Sequence, residues 1–360
     1  MKRLLDPYSL AALARGCAVL GAGGGGDPYL GLLQALQATE DFGPVPLVDL
    51  DELPGDALIM PCGGIGAPTV SVEKIENGDE GGRLREHLEF LTGRRVVALM
   101  AAEIGGSNGL LPITWAAHMG LPVADADGMG RAFPEVPQVT MHLAGIPPSP
   151  AVMTDERGNL VIFQTISGHW MERLERAAAV EFGGAASSTE FSLTAAQARE
   201  ATVRNSVSLA IRIGEAVSGA EGSPVDALIA EVGAFRLVTG KVLDVERRTT
   251  SGFARGSVVI EGLGADAGRL IRLELQNENL VALERGRVLA SVPDLISVLD
   301  SETADAIVTE RVAYGQRVTV IAFGCDPVWR TEKGIAVAGP RAFGYDFDYL
   351  PVEELAGASA

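Results

Sequence analysis

The sequence predicts an α/β protein, with an N-terminal α/β domain containing a mostly parallel sheet (residues 1–168) and a C-terminal β-rich α+β domain (residues 169–360). In the first part, short apolar runs alternate with stretches of helical spacing, which is typical of a parallel sheet with crossover helices. From residue 234 onward, runs that alternate with period two are separated by turn signals, which indicates neighbouring β-strands. Hydrophobic residues make up 47% of the 360 residues, enough for two cores.

A glycine run follows the first predicted helix. That helix covers residues 9–20, and GAGGGGDP then precedes a second stretch of helical spacing. Backbone N–H groups ahead of a helix can face a carboxylate or phosphate, which makes four residues candidate substrate contacts: Gly24, Gly25, Gly26 and Asp27. A tight turn with close helix packing explains the same residues equally well. The run is not a Walker loop, because no Gly-Lys-Ser/Thr ends it.

A second glycine loop ends a predicted strand. DALIMPCGG is a short apolar run that ends at Cys62, Gly63 and Gly64. A cysteine at a strand end is a candidate nucleophile. For Cys62, however, a buried structural role is the commoner case.

The strongest candidate for a reactive site is the stretch 96–146. VVALMAAE ends in Glu103, a glycine-rich turn and a helical segment follow, and LPVADADGMGR opens into Asp125, Asp127 and Arg131. A strand–loop–helix–strand–loop unit places polar loops at one edge of a parallel sheet, where ligands usually bind. We therefore expect these four side chains to surround one pocket near the glycine run.

Carboxylates at strand ends suit two kinds of chemistry. Glu103, Asp125 and Asp127 can act as general acid or base, and the closeness of the two aspartates would raise the pKa of one. The same three side chains can instead hold a divalent metal ion, although no histidine spacing supports zinc. Arg131 can clamp a substrate carboxylate or, more simply, pair with the neighbouring acids.

Composition narrows the partners of the protein. The net charge is −18 and no basic stripe is present, so nucleic-acid binding is disfavoured. No apolar run reaches the roughly 18 residues that a membrane span needs. The three cysteines form no CxxC pair and no signal peptide is recognisable, which predicts a reduced, cytoplasmic protein. The expected partner is a small-molecule substrate. The sequence does not determine the oligomeric state, and it is compatible with a homo-oligomer.

Eight motifs, in order along nearly the whole chain, resemble one family. They are GCAVLGAGGGGDP, CGGIGAP, AAEIGGSNG, PVADADGMGRAFPE, QNENL, PDLI, FGCDPVWRT and GPRAFGYDFDY. Together they are similar to the S-methyl thiohydantoin desulfurase family of bacteria, whose genes often neighbour those of hydantoinases and oxoprolinases. The resemblance implies a two-domain hydrolase of catabolism, in which water replaces the methylthio group of a cyclic isothiourea to give a hydantoin and methanethiol.

The motif positions add substrate-binding candidates: Gly64, Asn108, Glu278 and Asn279. In the implied reaction, Asp127 or Glu103 takes a proton from the attacking water, and a second carboxylate holds the ring in its cationic form. Asn108 or the amides of the glycine loops stabilise the charge that develops on oxygen. Arg131 holds a carboxylate on the substrate. This chemistry needs no cofactor, and water activated by a divalent metal is the rival mechanism.

A different class of function fits the same composition. The β-rich second part and the acidic surface also suit a non-catalytic accessory subunit, or a small-molecule-binding partner, of a hydantoinase- or oxoprolinase-type enzyme. Turnover by the protein alone would favour the enzyme. Co-purification with a neighbouring amidohydrolase and no turnover alone would favour the accessory subunit.

Overall fold

The structure, a computed structural model, describes residues 3–66, 70, 73–250 and 253–357. It contains two sheets, and the predicted α/β part followed by a β-rich part is confirmed. The strands of the first sheet are β1 (Arg3–Leu5), β2 (Val45–Val48), β3 (Leu58–Gly66), β4 (Val96–Ala101), β5 (Val123–Asp127), β6 (Ala151–Thr154), β7 (Leu160–Phe163), β8 (Ala185–Thr189), β9 (Leu193–Thr194) and β10 (Val203–Arg204). Their order is β1-β2-β5-β4-β3-β8-β6-β7, with β9 beside β3 and β10 beside β5.

Only the middle of this sheet is parallel. The strands β2, β5, β4 and β3 run in the same direction, whereas the pairings of β1, β6, β7, β8, β9 and β10 are antiparallel. The parallel strands are almost fully buried, which explains their continuous apolar runs. Their carboxyl ends therefore meet at one edge of the sheet, as the sequence predicted for β4 and β5.

Helices cover the first sheet. They are α1 (Pro7–Leu20), α2 (Pro28–Phe42), α3 (Glu80–Thr92), α4 (Leu111–Met119), α5 (Thr140–Leu143), α6 (Gly168–Glu181), α7 (Ala195–Ala201), α8 (Ser206–Ser218) and α9 (Pro224–Val232). The helices α1 and α8 approach closely because each presents a glycine: a Cβ added at Gly16 or Gly214 would lie 1.9 Å from a backbone oxygen of the other helix. None of the helices among the described residues is long and apolar enough to cross a membrane.

The second sheet is antiparallel throughout. Its strands are β11 (Phe235–Thr250), β12 (Phe253–Gly262), β13 (Leu270–Gln276), β14 (Glu278–Glu284), β15 (Arg287–Ser291), β16 (Leu295–Asp300) and β17 (Arg317–Phe323). They are arranged in the order β15-β14-β13-β12-β11-β17-β16. The sheet has an apolar core of its own, rich in valine, leucine and isoleucine. Two short helices follow it, α10 (Glu332–Ala338) and α11 (Val352–Gly357).

The predicted boundary at residue 168 does not coincide with the change from one sheet to the other. After α6 the chain returns to the first sheet, where β8 pairs with β3 and β6, β9 pairs with β3, and β10 pairs with β5. The second sheet begins only at Phe235. The small residues of β8, AASST, give little apolar signal, and the strand is held through backbone pairing on both sides.

Backbone contacts join the two parts at the glycine run. Asn279 N donates to Ala22 O at 2.8 Å, and Thr309 N donates to Gly23 O at 2.9 Å. Through β14, the second sheet thus reaches the carboxyl edge of the first sheet. Any site at that edge is built by both parts of the chain.

Candidate active site

A cavity of about 480 Å³ lies where β3 and β4 end. Its walls come from the glycine run ahead of α2, the ends of β3 and β4, the strand β8, and the turn before β14. Ligands usually bind at this edge of an open α/β sheet. The volume falls within the roughly 300–1,000 Å³ that is typical of small-molecule sites. The cavity is therefore the candidate active site.

The lining of the cavity is strongly acidic. Among the lining residues that the structure describes, two are basic, Lys74 and Arg176, and nine are acidic: Asp27, Glu76, Glu80, Glu103, Glu135, Asp155, Glu156, Glu190 and Glu278. Both basic side chains are engaged, since Lys74 pairs with Glu156 at 2.9 Å and Arg176 pairs with Glu172 at 2.7 Å. Burial raises the pKa of five of these acids and so favours their protonated forms: Glu76, Glu103, Glu135, Glu190 and Glu278.

Glu103 follows β4 and is only 7% exposed. One carboxyl oxygen accepts a hydrogen bond from the side-chain amide of Asn108, and the other accepts from Phe133 N at 3.3 Å. Asn108 Oδ1 in turn accepts from Gly64 N at 3.0 Å, so the amide fixes Glu103 against the end of β3. Burial raises the pKa of Glu103 to about 8, against the opposing effect of these hydrogen bonds. Glu103 is thus a fixed carboxyl group that changes protonation near neutral pH.

Glu278 enters the cavity from β14 of the second sheet. It is 2% exposed, and none of the residues that the structure describes donates a hydrogen bond to its Oε2. Burial, followed by the charge of Glu103, raises the pKa of Glu278 well above its usual value. A Cβ added at Gly24 would lie 2.0 Å from Glu278 Oε1, so the glycine makes room for this carboxyl group. Two acids from different sheets therefore influence each other's protonation at one cavity.

The glycine run forms the wall above these two acids. Gly25 and Gly26 line the cavity in left-handed backbone conformations, at φ +73° and +80°. Gly25 O accepts a hydrogen bond from Ser107 N at 2.9 Å, which ties the run to the loop after β4. Asp27 also lines the cavity, but its oxygens cap α2 through Tyr29 N at 2.9 Å and pair with Arg311. The run is thus both the tight turn and the cavity wall that the sequence left as alternatives.

Asp127 does not line the cavity. The expectation that it shares one pocket with Glu103 is therefore wrong. It is fully buried at the end of β5, where its Oδ2 accepts from Ile104 N at 2.9 Å, Met129 N at 2.9 Å and Gly130 N at 2.7 Å. Burial raises its pKa to about 6, although these three bonds oppose the shift. The side chain organises the backbone of two strand-end loops, one of which carries Glu103.

Asp125 also lies outside the cavity. The expectation that it lies beside Glu103 in one pocket is therefore wrong. Its Oδ1 accepts from Ser208 N at 2.9 Å and its Oδ2 from Ser208 Oγ at 2.5 Å. The residue at the start of α8, Asn205, makes no side-chain capping bond. Asp125 therefore caps α8 from a neighbouring strand, because the alternation of β5 turns it toward that helix.

We expect Asp125→Ala to lower the free energy of unfolding by about 1 kcal/mol, the usual cost of losing a side-chain acceptor at a helix N-terminus. Chemical denaturation would measure the loss. Turnover should stay at the wild-type level, since the side chain lies outside the cavity. A folded Asp125→Ala protein without activity would contradict this placement.

Arg131 joins the two parts of the chain and is not placed to clamp a substrate. It is fully buried and does not line the cavity; its Nη1 donates to Pro293 O at 2.6 Å and to Asp294 O at 2.9 Å. The guanidinium stacks on the ring of Phe133, 4.3 Å from its centroid. Its charge still opposes the rise in the pKa of Glu278. The expectation that Arg131 shares a pocket with Asp125 and Asp127 is therefore wrong.

Two further candidates lie beside the cavity without facing it. Asn279 is 1% exposed, and its side-chain amide donates to Ile296 O at 2.9 Å within the second sheet. Cys62 is fully buried, with its thiol directed to Met60 O at 3.5 Å, and burial raises its pKa well above the ordinary value. A protonated, enclosed thiol is a poor nucleophile, so Cys62 has the structural role that the sequence left as the commoner case.

The residues proposed for a divalent metal do not converge. Asp125 and Asp127 serve α8 and the strand-end loops, so neither joins Glu103. Across residues 3–66, 70, 73–250 and 253–357, no three His, Cys, Asp or Glu side chains are grouped closely enough to hold a metal ion. The donor set therefore does not fit a metal site at this position.

The sequence did not indicate the wall formed by β8. Ser187 and Ser188 line the cavity there, and Glu190 follows them. Ser187 Oγ donates to Glu76 Oε1 at 2.5 Å, and burial raises the pKa of both Glu76 and Glu190 to about 7. The one available signal was an acid directly after a run of small residues, which by itself resembles a linker.

Comparisons with protein families and with solved structures found matches that span nearly the whole chain. Residues 8–165 match the family S-Me-THD-like, N-terminal domain, and residues 166–352 match S-Me-THD-like, C-terminal domain. The crystal structure of a protein from Chromobacterium violaceum is similar at 24% identity, with a TM-score of 0.80, over 97% of this chain and 100% of that one. This likeness concerns the fold. None of the curated proteins compared with the chain matches it. Since the two family domains together cover nearly the whole sequence, the chain belongs to the S-Me-THD-like family, which confirms the resemblance seen in its motifs.

Proposed function

We propose that the protein hydrolyses a cyclic S-methyl isothiourea of the S-methyl thiohydantoin type, with water replacing the methylthio group. Membership of the S-Me-THD-like family supports the reaction class. The observation that carries the proposal is the pair of buried carboxyl groups, Glu103 and Glu278, that line one cavity. Environments that push the pKa values of two neighbouring acids apart are typical of an acid and a base that act together.

In the first step, Glu278 acts as the acid and Glu103 as the base. The pKa of Glu278 is high, so its carboxyl group carries a proton, which it gives to the ring nitrogen of the C=N bond. Ionised Glu103 takes a proton from water as the water oxygen bonds to the ring carbon. The product of this step is a tetrahedral carbon that bears the hydroxyl and methylthio groups.

In the second step, the C–S bond breaks. The sulfur leaves with the proton held by Glu103, and the hydroxyl proton returns to Glu278 as the C=O bond forms. One water is consumed, one methanethiol and one hydantoin are released, and both carboxyl groups regain their starting protonation. Asn108 keeps Glu103 oriented throughout, because it holds one oxygen and is itself held by Gly64 N.

The test is release of methanethiol from a panel of S-methyl thiohydantoins that differ at the ring substituent. A thiol reagent reports the rate, and chromatography identifies the hydantoin. Stoichiometric formation of both products supports the proposal. No thiol from any member of the panel, by folded protein, would overturn it.

We expect kcat/KM to rise with pH through about 8. Glu103 has a raised pKa, so below pH 8 it is mainly protonated and unable to accept a proton, and above pH 8 it is mainly ionised. This rise in kcat/KM would be seen in rates measured between pH 6 and 9.5, on a substrate that does not titrate in this range. Asp125→Ala, which leaves the cavity intact, should give the same profile. A flat or falling profile would contradict the assignment of Glu103 as base.

A further inference from the structure

One buried positive charge near the cavity has no counter-charge in direct contact. The guanidinium of Arg131 is fully buried and donates to three backbone oxygens, those of Ala132, Pro293 and Asp294. None of the described residues accepts a hydrogen bond from its Nη2 or pairs a carboxylate with it. Burial lowers the pKa of Arg131, but a guanidinium stays charged at neutral pH even so. Because an uncompensated buried charge is costly, Arg131 requires its compensation from acids that lie further away.

Four ionisable groups lie close enough to influence the charge of Arg131: Glu278, Cys325, Asp294 and Glu103. The carboxylate of Asp294 already pairs with Arg330 at 2.7 Å. Burial raises the pKa of Cys325, so its thiol is neutral. Of the four groups, Glu103 and Glu278 therefore remain to balance Arg131, and both line the cavity.

A direct chain of contacts leads from the guanidinium to the first of these acids. Arg131 stacks on the ring of Phe133, 4.3 Å from its centroid, and Phe133 N donates to Glu103 Oε2 at 3.3 Å. Phe133 lines the cavity, whereas Arg131 does not. The charge of Arg131 thus reaches the acid through the protein interior, where charges act more strongly than in water.

The other charges near the two acids are negative. Burial is the largest cause of the raised pKa at Glu103 and at Glu278; the charge of Asp127 adds to the rise at Glu103, and that of Glu310 adds to the rise at Glu278. The charge of Arg131 opposes the rise at both acids. Loss of both protons would leave two buried negative charges against one positive charge, and loss of neither would leave Arg131 uncompensated. One proton on the pair balances the charge.

We propose that Arg131 is a positioning residue of the reaction, whose buried charge stabilises the Glu103–Glu278 pair in the form that holds one proton, with Glu103 ionised. This inference rests on the proposed function and deepens it. From that form, Glu103 accepts a proton from water and Glu278 gives one to the ring nitrogen. Arg131 acts through the two acids and does not contact the substrate.

The experiment follows the carboxyl carbon of Glu103 by NMR in substrate-free, ¹³C-labelled protein, where the signal is assigned by its absence in Glu103→Gln. In the wild type it should titrate near pH 8. Arg131→Gln keeps a donor for the backbone oxygens but removes the charge, so the midpoint should rise by about one pH unit, as expected for the loss of a nearby opposite charge. Arg131→Lys keeps the charge and should titrate closer to the wild type. The pH profile of kcat/KM should shift by the same amount in each variant.

Arg269→Gln is the matched control, because Arg269 pairs at 3.0 Å with Glu284, at the far end of the strand that carries Glu278. It should titrate like the wild type. An unchanged midpoint in Arg131→Gln would overturn the proposal. Equal shifts in Arg131→Gln and Arg131→Lys would also overturn it, because they would show that packing rather than charge is responsible.

The wild type tests the protonation state without any change at Arg131, should Arg131→Gln not fold. At pH 9.5 the Glu103 carbon should be ionised, while the Glu278 carbon, assigned through Glu278→Gln, should still be protonated. Two protonated carbons at this pH, or two ionised ones, would overturn the proposal.

These titrations need no substrate, which separates the charge balance from the proposed function. If no S-methyl thiohydantoin is hydrolysed, the proposed reaction fails, and the titrations still decide whether Arg131 sets the protonation of the pair. Hydrolysis together with a wild-type midpoint in Arg131→Gln would refute the role of Arg131 alone.

Discussion

Glu103→Gln is expected to lower kcat for hydrolysis of an S-methyl thiohydantoin by about 10³-fold, within the roughly 10²–10⁴-fold that a positioned acid or base contributes. Glutamine keeps the shape of the side chain and the acceptor oxygen that Asn108 or Phe133 N can use. It cannot take a proton from water. Steady-state kinetics at pH 9, where Glu103 is mainly ionised in the wild type, would show the full difference.

The control for this variant is Asp125→Asn, an isosteric change of a carboxylate outside the cavity, which should retain wild-type kcat. Circular dichroism and thermal unfolding establish that Glu103→Gln is folded. Wild-type kcat in folded Glu103→Gln would exclude this residue as the base. An increase in KM with unchanged kcat would assign Glu103 to substrate binding.

Asp127→Ala should have the largest effect on stability. Three backbone N–H groups would lose their acceptor: those of the buried Ile104 and Met129 and that of the half-buried Gly130. Each unsatisfied buried donor costs roughly 1–3 kcal/mol, so the total is on the order of 5 kcal/mol. Thermal and denaturant unfolding would measure this loss. Asp125→Ala, for which about 1 kcal/mol is expected, is the reference variant in the same experiment.

Asp127→Asn separates structure from catalysis. Its amide oxygen can still accept from the backbone, so this variant should fold and should keep much of the activity. Asp127→Ala with the stability of the wild type would contradict the role described for Asp127. Well-folded Asp127→Asn without any turnover would restore Asp127 as a candidate base.

The fold could be predicted from the sequence because its signals are local. Buried parallel strands give continuous apolar runs, as in β4, and antiparallel strands give period two, as in β13. The strand β8 could not be predicted in this way, since its small residues give neither signal and its pairing depends on β3 and β6, far away in sequence. The start of the second sheet could be predicted, because the runs of period two begin at residue 234 and the sheet begins at Phe235.

From the sequence, a site residue could be predicted only where it directly follows a strand. Glu103 is such a residue, and the glycine run lies beside it as expected. Asp125 and Asp127 have the same local pattern, but their partners are set by contacts with α8 and with the loop after β4. Glu190 and Glu278 reach the cavity from distant segments, and Glu278 was indicated by its motif rather than by any spacing to Glu103.

In the proposed reaction, Glu103 activates the water that displaces the methylthio group, and Glu278 protonates the ring nitrogen. A single turnover in H₂¹⁸O, with protein in excess over an S-methyl thiohydantoin, tests it most directly. We expect one methanethiol per substrate and one ¹⁸O in the carbonyl group of the hydantoin, with both products formed far more slowly by Glu103→Gln. Absence of methanethiol, or a hydantoin whose new oxygen comes unlabelled from a protein carboxylate, would contradict it.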